Sequence, residues 1–492
     1  KFSKMIDTSI NFCTNSNASL GIDQACFSIL NLYINPVIFY AIAWEAYTKT
    51  GCNTLSEYGS YGWNISNADI CSNIYVIHEP RNSYLRKVFL YFCLLLAHLS
   101  FWISYYLYYY RIAILLMIFV NNGGGKYVFF NHSAWFGLSV ADLILPWFAW
   151  IMGMSITISK RAELRLTTSR VKITLCCLRR SAILILLGLM LNSIDSKSLN
   201  DLRFPGILQL LAVSYFVCAI LETIFMKPHS QDILLQFGRF AIFRDILDSW
   251  PQWLIMAGIM TTHTLITFFL HIPDCPTGYF GPGGKYHYHG KYMNCTAGAA
   301  GYIDRLIFGN HTYSKIKDSI YGQILRYDPE GLMNTISAIF IVYLGVHAGK
   351  ILLLYYQGNA RLIRWFLWAV FTGIIAGILC NFEIEGGVIP VSKRMMTLSY
   401  VLTCSSFAFL LYALLYFLID YKQFWSGAPF IYAGINPIFL YVGHVLTKDL
   451  FPWAWNIANP SHASLLTMNL WTTTLWAIIA YLLYRKDIII TI

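Results

Sequence analysis

The feature that most constrains this chain is a series of apolar runs, each about long enough to cross a bilayer as a helix. Only 12% of its 492 residues are charged, about half the share of a soluble domain. These two facts exclude a disordered chain and a nucleic-acid binder, and they predict a polytopic α-helical membrane protein. About eleven transmembrane helices are expected, near residues 87–110, 111–121, 137–158, 180–194, 206–226, 252–271, 331–355, 362–380, 397–418, 430–450 and 467–484.

Residues 1–85 differ from the rest of the chain. The segment NLYINPVIFYAIAWEAY is rich in β-branched and aromatic residues and is broken by a proline, which favours a small β-rich domain. The same region holds four cysteines and two glycosylation sequons, so it belongs in an oxidising lumen. Residues 86–492 then form a transmembrane domain with a long luminal loop at 272–328.

Orientation follows from the loop at 160–180. It carries seven basic residues and one acidic residue, Glu163, and therefore should be cytosolic. Counting spans outward from it puts the N-terminus in the lumen and the C-terminus in the cytosol. The net charge of +11 then reports membrane topology. All five sequons fall on the luminal side: Asn17, Asn64, Asn294 and Asn310, with Asn131 as the fifth.

Six of the twelve cysteines fall on the luminal side and are disulfide candidates: Cys13, Cys26, Cys52, Cys71, Cys275 and Cys295. Six cysteines allow fifteen pairings, so spacing alone does not fix the connectivity. A Cys71–Cys295 bridge is the favoured hypothesis, because it would hold the N-terminal domain over the luminal mouth.

One polar stretch, NNGGGKYVFFNHSAW at 121–135, separates two apolar runs. Its glycines permit a tight turn, and His132 supplies a side chain that titrates near neutral pH. The stretch is not a phosphate-binding loop, because Val120 and Tyr127 stand where that motif requires glycine and Ser or Thr. On local grounds alone, His132 is more often an interfacial anchor than a catalytic group.

The resemblance to a known family changes this balance. The string FVNNGGGKYVFFNHSAWFGLSVADLILPWF resembles the heparan-α-glucosaminide N-acetyltransferase family of lysosomal membrane enzymes, and further blocks agree in the same order over about residues 86–490. These blocks are LRFPGILQLLAVSYFVCAILE, CPTGYFGPGG, GKYMNCTAGAAGYIDRL, YDPEGLMNTISAIFIVYLGVHAGKILL and YAGINPIFLYVGH. One departure lies near Arg111, where the family pattern Ser-x-Asp-x-x-Arg-Gly is replaced by YYYRIAILL. Either those residues are lost or a short segment is missing there.

The resemblance implies a transferase in the lysosomal membrane. Its donor would be acetyl-CoA from the cytosol, and its acceptor the amine of a terminal glucosamine at the non-reducing end of heparan sulfate in the lumen. A homodimer is the assembly that the resemblance suggests. No metal is expected, and the lipid bilayer is the remaining partner.

Two chemical roles for His132 follow from this resemblance. It could attack the thioester and carry the acetyl group as an acyl-imidazole, or it could remove a proton from the attacking amine. Asn121 matches the family pattern and could donate a hydrogen bond to the thioester carbonyl, although an asparagine here also suits a helix C-cap.

Other polar residues are candidate binding groups. Arg179, Arg180 and Lys350 could hold the CoA phosphates, although positive-inside charge explains them equally well. Asp142 either orients His132 or caps its helix, with capping slightly favoured, while His444 is a candidate sugar or supporting contact. Glu383 could attract the cationic amine of the sugar, or it could be an ordinary solvated residue.

A membrane transporter of a small solute or sugar is the alternative reading. Transporters often contain internal repeats and paired broken helices, and no repeat relates the two halves of this sequence. The asparagine, glycine and histidine stretch also suits group transfer better than translocation.

Overall fold

A computed structural model of the chain describes residues 60–63, 74–78, 109–166, 169–194, 198, 202–226, 243–285, 287–312, 325–383, 386–424, 432–458 and 461–490. Contacts divide the chain into two units. The smaller comprises Lys1–Tyr84 and Lys317–Gln323, and the larger comprises Leu85–Ile316 and Ile324–Ile492.

The smaller unit contributes one described feature, an antiparallel pair of strands. Strand β1 is Ser60–Trp63 and strand β2 is Ile74–His78, with Ser60 opposite His78 and Trp63 opposite Ile74. The other residues of 1–85 lie outside the described residues. The β-rich N-terminal domain therefore stays a prediction.

The larger unit is helical. Its helices are α1 (Tyr109–Asn121), α2 (Val140–Leu166), α3 (Arg170–Ser193), α4 (Ile207–Phe225), α5 (Arg244–Leu247), α6 (Trp250–Phe269), α7 (Gly298–Phe308), α8 (Leu332–Leu354), α9 (Gly358–Leu379), α10 (Leu398–Tyr416), α11 (Pro437–Thr447) and α12 (His462–Arg485). A π-helical turn, Phe417–Tyr421, extends α10.

Seven of these helices are long and apolar enough to cross a bilayer, within the part of the chain that the structure describes: α2, α3, α4, α8, α9, α10 and α12. Helices α1, α6 and α11 occupy three further predicted spans, and α1 continues unbroken through Tyr110 and Arg111. Most of the predicted span at 87–110 lies outside the described residues. The count of eleven thus stays a prediction, while the helical membrane architecture agrees with the sequence.

Helices α2 and α8 form the centre of the bundle. They run parallel, since Trp150 lies beside Gly345 and Met154 beside Gly349. A Cβ at Gly345 would collide with the backbone oxygen of Trp150, so the glycine allows the two backbones to approach closely. Outer helices such as α3 and α9 expose large apolar side chains, including Met190 at 65% and Ile363 at 60%, as expected for helices that face lipid.

Candidate functional site

The polar stretch at 121–135 forms the connection between α1 and α2. Helix α1 ends at Asn121, and Gly123, Gly124 and Gly125 then take φ values of 107°, 52° and 69°. This left-handed region favours glycine, so the glycine run is a requirement of the turn. His462 Nδ1 lies 3.0 Å from the Gly125 carbonyl oxygen, which ties the turn to the start of α12.

Asp142 organises the first turn of α2. Its side chain is fully buried, and Oδ2 accepts hydrogen bonds from the backbone N–H and the hydroxyl of both Ser133 and Ser139 at 2.8–3.1 Å. Ser139 immediately precedes the helix, so the bond from its N–H is the reciprocal half of a capping box. Four donors make an ionised carboxylate tolerable in a buried position.

His132 contacts the other oxygen of the same carboxylate. Its Nδ1 lies 2.9 Å from Asp142 Oδ1, and its side chain is 49% exposed. Asp142 therefore both caps α2 and orients His132, and the two readings of this residue are not alternatives. The ring thus turns Nδ1 toward the carboxylate and Nε2 away from it.

Lys393 completes this cluster, although no motif in the sequence predicts it. Its Nζ lies 3.2 Å from Asp142 Oδ1 and 2.8 Å from His132 Nδ1. It belongs to the segment between α9 and α10, which is held to the 131–137 loop by bonds from Ser392 Oγ to the Trp135 oxygen and from Arg394 Nε to the Ala134 oxygen. One signal was available: adjacent Lys and Arg residues at a segment assigned to the lumen run against the positive-inside rule.

Asn121 and His444 form a second, separate contact. Asn121 Nδ2 lies 3.1 Å from His444 Nε2, while His444 Nδ1 lies 3.2 Å from the Leu440 carbonyl oxygen within α11. A proton on His444 Nδ1 satisfies that carbonyl and makes Nε2 the acceptor for the Asn121 amide. His444 is buried and Asn121 is exposed, so His444 orients an accessible amide.

The remaining predicted binding residues lie apart from this cluster. Lys350 Nζ is 2.8 Å from Glu222 Oε1 and also contacts Gln252. Arg179 is exposed on α3, and the Arg180 guanidinium lies over the Tyr215 ring at 5.0 Å. Glu383 is an exposed residue just after α9.

The disulfide prediction needs correction. Cys295 pairs with Cys275 and not with Cys71, and the Cα–Cα distance of 5.6 Å is ordinary for a disulfide. The two cysteines are 20 residues apart, so the bridge crosslinks two parts of the 272–328 loop. The favoured Cys71–Cys295 hypothesis overlooked that a short loop brings its own cysteines together at a small entropic cost.

The remaining cysteines and the glycosylation sequons are only partly covered by the described residues. Cys13, Cys26, Cys52 and Cys71, and the sequons at Asn17 and Asn64, lie outside the described residues. Asn294 and Asn310 are both exposed, as glycosylation requires. No group of three or more His, Cys, Asp or Glu side chains suits a metal ion among the residues that are described.

Comparisons with known proteins identify the relatives of this chain. No protein-family model matches it. It is 44% identical over 385 residues to the mouse protein named heparan-alpha-glucosaminide N-acetyltransferase, and 45% identical over 386 residues to the human protein of the same name. Each match covers 77% of this chain and 58% of the relative, so the chain spans somewhat more than half the length of the curated proteins it matches.

Proposed function

We propose that this chain, a member of the heparan-α-glucosaminide N-acetyltransferase family by the similarity of its matched residues, transfers an acetyl group from acetyl-CoA to the amine of a terminal α-glucosaminide of heparan sulfate. His132 is the catalytic residue of this proposal, and Asp142 positions it. The proposed setting is the lysosomal membrane, with the His132 side of the bundle toward the lumen. The glycosylation sequons support this orientation.

The observation that carries the proposal is the pairing of His132 with Asp142. A buried carboxylate held by four donors fixes the imidazole through Nδ1, while half of the ring remains accessible. Among the described residues, Nε2 makes no hydrogen bond. An accessible ring nitrogen on an imidazole held by a carboxylate is what acyl transfer to an amine requires.

Two routes use the same nitrogen. In the first, Nε2 attacks the thioester carbonyl, the C–S bond breaks, and CoA leaves as a thiolate that takes up a proton. The sugar amine then attacks the acetyl carbon, the C–N bond to the ring breaks, and the amine releases a proton that replaces the one taken up by the thiolate. In the second, Nε2 accepts the proton of the amine as the amine attacks the thioester, and it returns that proton to the CoA sulfur.

Asn121 is the proposed donor to the carbonyl oxygen of the thioester. One of its two amide N–H groups is directed to His444, which fixes the orientation of the amide. The other N–H remains for an oxyanion. A donor of fixed orientation stabilises the charge that develops on that oxygen without having to reorganise.

The three residues predicted to bind CoA phosphates differ in exposure and in whether a carboxylate already balances their charge. Lys350 is paired with Glu222 and contacts Gln252, so its charge is already balanced inside the bundle. Arg179 and Arg180 are exposed at the end of the bundle assigned to the cytosol. The two arginines are therefore the better candidates for binding the donor. Glu383 remains a proposed contact for the cationic sugar amine.

The test is acetyl transfer by the purified full chain in liposomes, given acetyl-CoA and a fluorogenic α-glucosaminide. We expect His132→Ala to lower turnover by about 10²–10⁴-fold, the usual contribution of general acid–base catalysis. The matched control is His289→Ala, since His289 is an exposed histidine of the 272–328 loop and should not affect turnover. Wild-type protein that moves a solute across the liposome but acetylates nothing would favour the transporter reading.

The two routes are separated by trapping. Wild-type protein incubated with radiolabelled acetyl-CoA and no acceptor should retain label on His132 if acetyl-imidazole forms. Release of CoA only in the presence of the sugar, with no labelled protein, would support direct transfer.

A further inference from the structure

A small pocket lies where α2, α3 and α4 meet, far from the His132 cluster. It encloses about 290 Å³ including its open mouth. Polar groups line much of it: Ser155, Ser159 and Lys160 of α2, Arg180 of α3 and Tyr215 of α4. Lys160 follows Asp142 by 18 residues along α2, or about 27 Å of helix, so the pocket lies close to one bilayer thickness from His132.

Lys160 is the unusual group in this pocket. It is only 2% exposed, and its Nζ has one acceptor among the described residues, Glu163 Oε2 at 2.6 Å. An ammonium carries three N–H donors, so two donors lack a protein acceptor there. Glu163 balances the charge of Lys160, and the two remaining donors are a reason to expect a second anion at this position.

Arg180 and the serines extend the same site. The Arg180 guanidinium lies over the Tyr215 ring at 5.0 Å, which fixes its plane beside the cavity that it shares with Lys160. A guanidinium held in this way offers parallel N–H donors that match phosphate oxygens. Ser159 Oγ donates to Glu163 Oε1 at 2.8 Å, so Glu163 is the internal anion that now occupies these donors.

We propose that this pocket binds a phosphate group through Lys160 and Arg180, with the carboxylate of Glu163 swinging aside. The Glu163 side chain is 37% exposed and has room to move outward, whereas Lys160 has none. Apart from its open mouth the cavity holds about 60 Å³, room for about four or five atoms the size of a water molecule and so for one phosphate group.

Two molecules could supply that phosphate. One is the ribose phosphate of the CoA donor, a case that rests on the proposed function. The other is the headgroup of an anionic phospholipid, which does not. The pocket is bordered by α3, whose Leu175 and Leu178 are 58% and 49% exposed, so a lipid could reach it from the bilayer. Basic pockets between transmembrane helices on the cytoplasmic side bind such headgroups.

The experiment uses the full chain in phosphatidylcholine nanodiscs. One arm compares the affinity for CoA with that for dephospho-CoA, which lacks the 3′-phosphate. The other arm measures retention of phosphatidylinositol 4-phosphate by native mass spectrometry. Four variants are compared with wild type: Lys160→Met, Arg180→Gln, Glu163→Gln and, as an exposed basic control on α3, Lys172→Gln.

For a nucleotide phosphate, wild type should prefer CoA over dephospho-CoA by about tenfold, the effect of one charge-assisted hydrogen bond. Lys160→Met and Arg180→Gln should abolish the preference, while Lys172→Gln should keep it. For a lipid phosphate, the same variants should lose phosphatidylinositol 4-phosphate, and the CoA preference should be absent throughout. In either case Glu163→Gln should strengthen binding, a gain that misfolding cannot produce.

The proposal is overturned if wild type neither prefers CoA over dephospho-CoA nor retains phosphatidylinositol 4-phosphate. It is also overturned if the wild-type preference or retention survives in both Lys160→Met and Arg180→Gln. Arg180 is exposed, so its variant remains informative even if Lys160→Met fails to fold. Failure of the proposed function is read separately, as absence of acetyl transfer by a wild-type protein that still discriminates phosphate.

Discussion

Two clusters in this bundle contain the same three kinds of group, a histidine, an aspartate and a cation. In the first, which we term the His132 cluster, His132 lies 2.9 Å from Asp142 and beside Lys393. In the second, the Asp245 cluster, Asp245 lies 3.5 Å from His347 and 3.1 Å from Arg364. His347 is level with Met152 on the parallel helix α2, about 15 Å along the bundle axis from Asp142.

The difference between them is access. The His132 side chain is 49% exposed, whereas that of His347 is fully buried. Trp253 and Trp368 stand edge-on to the His347 ring at 5.2 and 4.4 Å. The composition of a polar cluster therefore does not decide whether it is reactive. Aromatic rings close off the Asp245 cluster, whereas the open side of the His132 cluster gives the access that its proposed role requires.

The strongest test of this comparison is Asp142→Asn. An amide in this position can donate to His132 Nδ1, which would move the ring proton to Nε2 and remove the base. We expect turnover to fall on the order of 10⁴-fold, the scale of the same Asp-to-Asn change in Ser-His-Asp enzymes. Acetyl-transfer kinetics measure it, with size-exclusion behaviour as the control for folding. Unchanged turnover would show that the pairing with Asp142 is not catalytic.

Asp245→Asn is the matched change in the closed cluster. It removes the partner of Arg364 and His347, so unfolding should become easier by about 3–5 kcal/mol, the cost of breaking a buried pair. Turnover per folded molecule should be preserved. Thermal unfolding together with active-site-normalised rates distinguishes the two outcomes. A large rate loss at unchanged stability would place Asp245 in the reaction, and burial would then no longer separate the Asp245 cluster from the His132 cluster.

Lys393→Met tests the cation of the His132 cluster. The Lys393 ammonium contacts both Asp142 Oδ1 and His132 Nδ1, so it helps to hold the carboxylate and the ring together. Without it we expect turnover to fall about tenfold, the scale of one lost charge-assisted hydrogen bond. Lys393→Arg retains the charge and should retain most of the turnover. Acetyl-transfer kinetics measure both variants, and unchanged turnover in the methionine variant would show that the Lys393 contact is dispensable.

The smallest effect is expected at Asp304, on α7 in the 272–328 loop. Burial raises the pKa of Asp304 to about 7, well above the usual 3.8, and the charge of Asp328 adds to the shift. Oδ1 accepts the Leu332 N–H at 2.9 Å, and Oδ2 has no partner among the described residues. In the folded chain the carboxyl keeps its proton between about pH 4 and pH 7, whereas the unfolded chain loses it.

Folding therefore takes up a proton in that window, and stability falls as the pH rises through it. Below the window both states are protonated, so the contribution vanishes. Asp304→Asn should flatten this part of the pH dependence, which thermal unfolding at pH 4.5 and 7.5 would show as a shift of a few degrees. A variant with the slope of wild type would rule out Asp304 as its source.

Local sequence determined the class of this protein and one half of its candidate site. Repeated apolar runs leave only a helical membrane protein, because backbone polar groups in lipid must be satisfied within each segment. His132 and Asp142 are ten residues apart, with Asp142 in the first turn of the next helix, so proximity along the chain brings these two residues together.

The tertiary structure decided the other half. Lys393 is separated from His132 by 261 residues, and His444 from Asn121 by 323, so no periodicity or spacing could pair them. Cys295 is different, because its short separation from Cys275 already favoured that pairing over Cys71, and the structure confirms that the loop closes on itself. Apolar patterns report which side of a helix is buried, but partners across a bundle depend on how whole helices approach one another. The glycines that let α2 and α8 pack closely are one example of such an approach.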